Sequence, residues 1–427
     1  MKVAFHTLGC KVNQNDTNNL SSLFQEAGYQ IVPFAEPADV YVVNTCAVTQ
    51  IGERKSRQTI RKAIQNNPRA VLVVTGCYAQ TSPQEIAGIL GVNLVVGMAD
   101  RGRIVELVDQ FQATRRNLIQ VRPNQATWDE LPPGDAGVRT RATLKIEEGC
   151  EQYCSYCIVP YARGPVRSMP PEQATRGIGL LLDKGYQEIV LTGIHLGSYG
   201  TDCGSSLQQL LGSVVKMAGA FRVRLGSIDP HELTPGLVDL ITGHPERICQ
   251  NLHIPLQSGS DRILKLMNRH YDLKQYAELL SGLRRGNPLI AIGTDLIVGF
   301  PGETEADFET GAAFVRQQEF SRVHVFRYSP RNGTPAARLP DRVAAAEQER
   351  RSRAIQAIAQ ESGARFARQF VGRQVQVLFE EQRAAVWEGL SGEYLRVAVA
   401  AAADLHNRIL PVRITRSVQD TLEGTIG

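Results

Sequence analysis

Nine consecutive residues constrain this chain more than any others: Gly149-Cys150-Glu151-Gln152-Tyr153-Cys154-Ser155-Tyr156-Cys157. They set three thiols in one short run, separated by three and then two residues. Thiolates are soft ligands, and sulfur-only sites select zinc or iron–sulfur clusters. A structural zinc takes four ligands. No fourth Cys or His stands near the run, and the next His is His195. Three thiolates on a four-iron cluster leave one iron open to a substrate or cofactor. The competing readings are a zinc knuckle or chance clustering.

A chain of 427 residues has room for about three domains. Hydrophobic residues make up 43% and charged residues 21%, as in ordinary globular proteins. The N-terminal residues lack a signal-peptide pattern, and no apolar run is long enough to span a bilayer. A cytoplasmic protein with no membrane partner is therefore expected. Eight cysteines in that setting read as metal or catalytic ligands rather than disulfides. The net charge of +4 says little by itself.

Residues 1–120 read as a first, doubly wound α/β domain. Short apolar runs at Lys2 to His6, Val40 to Val43, Ala70 to Val74 and Leu94 to Val96 alternate with helical segments, which argues for a parallel sheet. Cys10, Cys46 and Cys77 each fall just past the end of one of these strands. Ligands bind at that edge of an open α/β sheet, so three thiols far apart in sequence can converge there as a second three-cysteine site. The segment Glu53 to Arg69 carries Arg54, Lys55, Arg57, Arg61, Lys62 and Arg69 against one acid. Lys/Arg clusters of this kind hold phosphates; the plainer reading is a solvated helix face.

Residues 121–140, with Pro123, Pro132, Pro133, Gly134 and Gly137, read as a linker. Residues 141–366 read as a partial (βα)6 barrel. Its strand candidates are Thr143 to Ile146, Glu188 to Leu191, Phe221 to Leu225, Asn251 to Ile254, Ala291 to Val298 and Val323 to Phe326. Chemistry in such barrels sits at the C-terminal strand ends, and the Cys150 loop follows the first strand. Residues 367–427 show short alternating runs after an Arg-rich helical stretch and read as a small β-barrel. From Arg368 onward seven Arg meet seven Asp/Glu, so the module is neutral.

The motifs Leu8-Gly9-Cys10, Asn44-Thr45-Cys46 and Gly76-Cys77, followed by the CxxxCxxC run with Tyr156 before its last Cys, resemble the methylthiotransferase branch of the radical S-adenosylmethionine (SAM) enzymes. The resemblance spans nearly the whole chain. It implies two 4Fe–4S clusters, one on Cys150, Cys154 and Cys157 and one on Cys10, Cys46 and Cys77, with SAM as cofactor. It implies that SAM is cleaved at the first cluster to a hydrogen-abstracting radical, and that sulfur on the second is methylated from another SAM and transferred. The Gly-rich strand ends resemble the family's SAM-holding segments, which points to Thr192, Gly193, Ser227 and Gln257, with Tyr156 in the family's aromatic position. Asp295 and Glu303 read equally well as structural caps. Tyr161 to Gly164 and Arg167-Ser168 resemble a basic run that positions SAM or a substrate phosphate, or else clasps the loop. His195, His231 and His253 read as structural or pocket-lining residues. The C-terminal place belongs in this family to the RNA-binding TRAM domain, the rival role being a cap on the barrel.

Leu8 to Gln14 is similar to the branch that modifies C2 of N6-threonylcarbamoyladenosine beside the tRNA anticodon. The implied partners are the tRNA anticodon stem-loop, a one-electron donor such as flavodoxin or ferredoxin, and a sulfur donor. Rival readings are the branches acting on isopentenyladenosine or on a ribosomal-protein aspartate, and a non-catalytic metal-stabilised RNA-binding protein.

Overall fold

The computed structural model describes residues 1–128, 131, 134 and 140–426. Pro132, Pro133 and Gly137 of the expected linker lie outside the described residues. The chain forms two compact units. One comprises Met1–Gly137, Lys145–Met169 and Ser329–Ala337; the other comprises Val138–Leu144, Pro170–Tyr328 and Arg338–Gly427.

The first unit is built on a six-stranded sheet in the order β2-β1-β3-β4-β5-β6. Its strands are β1 (Lys2–Thr7), β2 (Gln30–Val32), β3 (Val40–Thr45), β4 (Val71–Gly76), β5 (Leu94–Val96) and β6 (Leu118–Gln120), and each neighbouring pair is parallel. β3 and β4 are buried along their whole length, as expected of strands covered on both faces. Helices α1 (Lys11–Glu26), α2 (Gln50–Asn66), α3 (Cys77–Thr81), α4 (Pro83–Ala87) and α5 (Ile104–Thr114) supply the covering layers. Leu20 and Phe24 of α1 pack with Leu107 and Val108 of α5 on one face, and Ile60 and Ala63 of α2 pack on the other. The sequence reading missed β2 and β6. Both are edge strands of three residues, too short to show a periodicity, and β6 is only partly buried.

α2 begins at Gln50, where the Thr49 hydroxyl caps it by accepting the Gly52 N–H at 3.0 Å. It ends at Asn66, so Arg69 lies beyond the helix.

The second unit holds the six expected strands β7 (Arg141–Lys145, whose last residue belongs to the first unit), β10 (Glu188–Thr192), β11 (Arg222–Leu225), β12 (Asn251–His253), β13 (Ala291–Val298) and β14 (Arg322–Arg327). The first unit contributes the short hairpin β8 (Glu147–Glu148) and β9 (Arg167–Ser168) and the helical turn α6 (Val159–Arg163) between them. The barrel strands form two three-stranded sheets, β7-β10-β11 and β12-β13-β14, joined by single parallel bridges from Val223 to Ile248 and Ser227 to His253. Helices α7 (Pro171–Asp183), α8 (Leu207–Val214), α9 (Pro235–Gly243), α10 (Asp261–Leu266), α11 (Leu273–Gly286) and α12 (Glu305–Gln318) alternate with them, giving the partial barrel.

Helix α13 (Ala345–Arg368) leads into a closed barrel of five strands: β15 (Gln374–Arg383), β16 (Val386–Ser391), β17 (Arg396–Ala400), β18 (Ile409–Val418) and β19 (Thr421–Ile426). Phe366 and Phe370 seal one side of its core of Val377, Phe379, Trp387 and Val412. The sequence reading missed β19, whose alternation is broken by Gly424. That glycine sits against the Arg413 backbone carbonyl of β18. The module is tied to the starts of the barrel strands. Arg222 and Arg224 grip Glu188, and they also donate to the carbonyls of Gln376, Leu390, Ser391 and Gly392. Burial would raise the Glu188 carboxyl, but the two guanidinium groups pull it down to about 2. The ring of Tyr394 lies against Arg141, Arg224 and Arg322. The turn between β16 and β17 therefore caps the strand starts, the end away from the chemistry expected in such barrels.

Candidate active site

All six candidate cluster cysteines fall in the first unit. Cys10 is the residue before α1, Cys46 follows β3 directly, and Cys77 follows β4 and opens α3. The parallel sheet brings these three turns to one edge. Gly9 has φ +102°, and a Cβ there would stand 3.1 Å from the Cys46 sulfur, so the Leu8–Cys10 turn passes against the Cys46 loop. Asn13 ties the turns together, donating from Nδ2 to the carbonyls of Leu8 (2.7 Å) and Thr45 (3.0 Å). Cys46 and Cys77 are buried and Cys10 is exposed. Burial pushes the Cys46 thiol up to about 11, and the neighbouring Cys77 and Cys10 add to the effect.

Cys150, Cys154 and Cys157 occupy the loop between β8 and α6. Gly149 at φ +95° and Tyr153 at φ +46° turn it sharply, and the Cys157 N–H donates to the Cys154 carbonyl at 2.9 Å. Burial, then the other two thiols, raises the Cys150 thiol to about 12. Thiols crowded this way need a cation to become thiolates.

One ion at about 2.3 Å from each sulfur would draw the sulfurs to about 3.8 Å from one another. Among the described residues, His253, Asp295 and His324 are the group whose ligand atoms gather within 4.8 Å; neither cysteine triad does so. A four-iron cluster spreads its cysteine sulfurs wider than a single ion does.

Beside Cys77 lies a buried charge network that the sequence reading did not find. Asp16 and Glu148 meet Arg101, Lys145 and Arg163, all five buried. Lys145 Nζ is 2.6 Å from both carboxylates, Arg101 is 2.7 Å from Asp16, and Arg163 pairs with Asp16 at 3.0 Å and with Glu148. Burial alone would raise both carboxyls; the three cations outweigh it and hold both below the usual range. Arg163 also bonds Asn13 and donates from Nε to Cys77 Sγ at 3.3 Å. It is fully buried, its guanidinium held by Asp16, Glu148, Asn13 and Cys77. Arg167 is buried as well and donates to the carbonyls of Arg163 and Pro165, the loop-clasping alternative. Position in sequence carries no signal for the partners, because Asp16 is more than a hundred residues from Lys145 and Arg163.

The SAM-contact candidates lie in the second unit, apart from Tyr156, which is half-buried in the cysteine loop. Thr192 ends β10 and is buried, and Gly193 follows it. Ser227 is exposed past β11 and bridges to His253. Gln257 has φ +65° and exchanges backbone hydrogen bonds with β13, donating to the Asp295 carbonyl and accepting the Ile297 N–H, both at 2.8 Å. Each of these residues sits at or past the end of its strand.

Two further groups escaped the sequence reading. His253 Nε2 and His324 Nδ1 lie 3.0 and 3.1 Å from the same oxygen of Asp295. Burial opposes ionisation of Asp295, but these two hydrogen bonds bring it to about 2. Asp295 is thus the centre of an imidazole pair rather than a cap, whereas Glu303 is a clasp, accepting the Gly299 N–H at 2.6 Å and pairing with Arg351 at 2.7 Å. Glu232 lies 3.2 Å from His195 Nε2 and accepts from the Ser198 hydroxyl at 2.7 Å. Burial raises its carboxyl to about 7 and lowers His195 to about 4.

Residues 2–97 match the uncharacterized protein family UPF0004, and residues 144–315 match the Radical SAM superfamily. A protein of Bacillus subtilis named threonylcarbamoyladenosine tRNA methylthiotransferase MtaB is 40% identical over 99% of this chain and 95% of its own length. The chain belongs to the radical SAM methylthiotransferase family. A protein of the same name from Aquifex aeolicus is 39% identical over 91% of this chain and 95% of its own. A tRNA-2-methylthio-N(6)-dimethylallyladenosine synthase from Moorella thermoacetica is 35% identical over 98% and 96%. Among solved structures, the radical SAM methyltransferase TsrM from Kitasatospora setae covers 79% of this chain and 77% of its own at TM-score 0.60 and 14% identity, a likeness of fold. As a radical SAM methylthiotransferase, the chain is an enzyme whose family works with SAM and a 4Fe–4S cluster. The non-catalytic reading is set aside.

Proposed function

We propose that this enzyme transfers a methylthio group to C2 of N6-threonylcarbamoyladenosine at position 37 of tRNA. The observation that carries the reading is 38–40% identity over most of the chain to three proteins named for that substrate, against 33–35% to proteins named for dimethylallyladenosine. Cys150, Cys154 and Cys157 hold the first cluster, and Cys10, Cys46 and Cys77 hold a second. Thr192, Gly193, Ser227 and Gln257 contact SAM, with Tyr156 beside the first cluster. When bound, these groups supply the radical that activates the C–H bond and the sulfur that is methylated and transferred. The chain's part is to bring the cysteine turns together, shield them from water and present the RNA. A one-electron donor and a sulfur donor complete the reaction in the cytoplasm. The domain limits are 1–120, 141–366 and 367–427, with 121–140 as linker.

The face of α2 supports an RNA partner. Arg54, Lys55, Arg61 and Lys62 are exposed. At 100° per residue they share one sector of about 120° and span about 12 Å of helix. Opposite them lie the buried Ser56, Ile60 and Ala63. Glu53 is taken by Arg331, and Arg57 by Tyr78 and Glu85, so the remaining cations face solvent. A single-stranded anticodon-loop base can be splayed into a pocket while its phosphates rest on such a ridge.

Nucleoside mass spectrometry tests the proposal. The anaerobically reconstituted enzyme is incubated with SAM, a reductant and tRNA carrying both modified adenosines. A methylthio product from threonylcarbamoyladenosine alone supports the reading; product from isopentenyladenosine alone overturns the substrate and keeps the chemistry.

A further inference from the structure

One dipeptide touches a cysteine of each triad. Arg163 closes α6, and its Nε donates to Cys77 Sγ at 3.3 Å. The next carbonyl, that of Gly164, accepts the Cys150 N–H at 3.0 Å. The end of α6, which is bonded to the first cysteine loop, therefore reaches the second triad.

The charges around Arg163 indicate what it faces. Arg101 and Lys145 against Asp16 and Glu148 make two cations and two carboxylates, a neutral set. Arg163 adds a fifth, fully buried charge to them. An uncompensated buried charge is costly, so this cation calls for an anion. The group it touches outside the set that becomes anionic on binding a metal is Cys77. A 4Fe–4S core of charge two-plus on three thiolates is one net negative charge, which closes the balance. Asn13, bonded to Arg163 and to the Leu8 and Thr45 carbonyls, fixes the guanidinium against the turns that carry Cys10 and Cys46.

We infer that Arg163 is a positioning residue for the second cluster: it holds Cys77 in ligating position and, by a hydrogen bond and a positive charge at that sulfur, raises the cluster's reduction potential. The inference rests on the proposal of a second cluster.

The test uses the full chain with Cys150→Ala, Cys154→Ala and Cys157→Ala, which leaves the second triad alone. This parent and its Arg163→Lys and Arg163→Met derivatives are reconstituted with iron and sulfide. Iron content, circular dichroism and an EPR-monitored redox titration are then compared. Arg163→Met leaves a neutral network and is expected to fold. The expected result is a lower potential in both derivatives, further lowered in Arg163→Met, because lysine keeps the charge but not the fork. At the parent's midpoint, the reduced fraction falls several-fold. A folded Arg163→Met that takes up no iron supports the positioning role, and Arg163→Lys then carries the potential measurement. Equal potentials in the parent and in every derivative that takes up iron overturn the inference and leave the second cluster standing. A folded parent that takes up no iron overturns the second cluster itself, and the inference with it.

Discussion

The guanidinium Nε of Arg163 lies 3.3 Å from the sulfur of Cys77. The last residue of α6, the helix that follows the first cysteine loop, thereby contacts a residue of the second triad, and the two triads share one compact unit.

On the proposed two-cluster reading, replacing Cys10, Cys46 and Cys77 by Ala lowers iron per chain by about half. Cleavage of SAM to 5′-deoxyadenosine is expected to persist, because the proposal places it at Cys150, Cys154 and Cys157. Methylthio product is lost. Product at wild-type level from the triple variant would end the second-cluster assignment.

Reversing Arg54, Lys55, Arg61 and Lys62 to Glu weakens tRNA binding. The slope of log affinity against log salt drops by roughly 0.7–0.9 for each phosphate that the ridge no longer neutralises. All four are exposed, so thermal stability is expected to hold within about 0.5 kcal/mol per substitution. Binding and slope equal to wild type would assign the ridge to solvent.

Glu232 gives a pH signature. Its folded pKa of about 7 lies above the unfolded value of 4.5. Its contribution is therefore fully present below about pH 4.5 and is lost as pH rises through 7. At about 1.4 kcal/mol per unit, that loss amounts to about 3 kcal/mol. Burial lowers His195 to about 4, which acts in the opposite sense, removing stability as pH falls from 6.5 toward 4. Glu232→Gln should flatten the loss between about pH 4.5 and 7 in chemical denaturation. An unchanged slope between about pH 4.5 and 7 would refute the assignment.

Gly9→Ala probes the approach of two cysteine turns. The new methyl meets the Cys46 sulfur at 3.1 Å in a backbone held at φ +102°, a conformation costing about 1–2 kcal/mol for a side-chain-bearing residue. The expected outcome is a folded protein with impaired iron loading at the second triad. Normal loading would show that the turns have room to move apart.

The cysteine run, the strand-end cysteines and the six barrel strands were legible because each is a local pattern: a spacing, or an apolar run followed by a turn. β2 and β6 were not, since a three-residue edge strand is defined by the neighbour it pairs with. Asp295 read as a possible cap because its partners His253 and His324 come from two other strands. Arg163 was visible as part of a basic run, but its burial among Asp16, Glu148 and Cys77 was not, because those partners are distant in sequence or come from other elements.

Taken alone, the sequence determined the ligand chemistry and the layout of the chain. Soft thiols at fixed spacings dictate a sulfur-bound centre, and hydrophobic periodicity dictates alternating strands and helices, wherever the rest of the chain lies. Tertiary structure alone decided which charges are paired. Asp16, Arg101, Lys145, Glu148 and Arg163 are scattered over the first unit, and burial with mutual neutralisation exists only once the sheet and the cysteine loop have packed together. Coulomb interactions strengthen as water is excluded, so the role of Arg163 at Cys77 was fixed by its surroundings rather than by its neighbours in sequence.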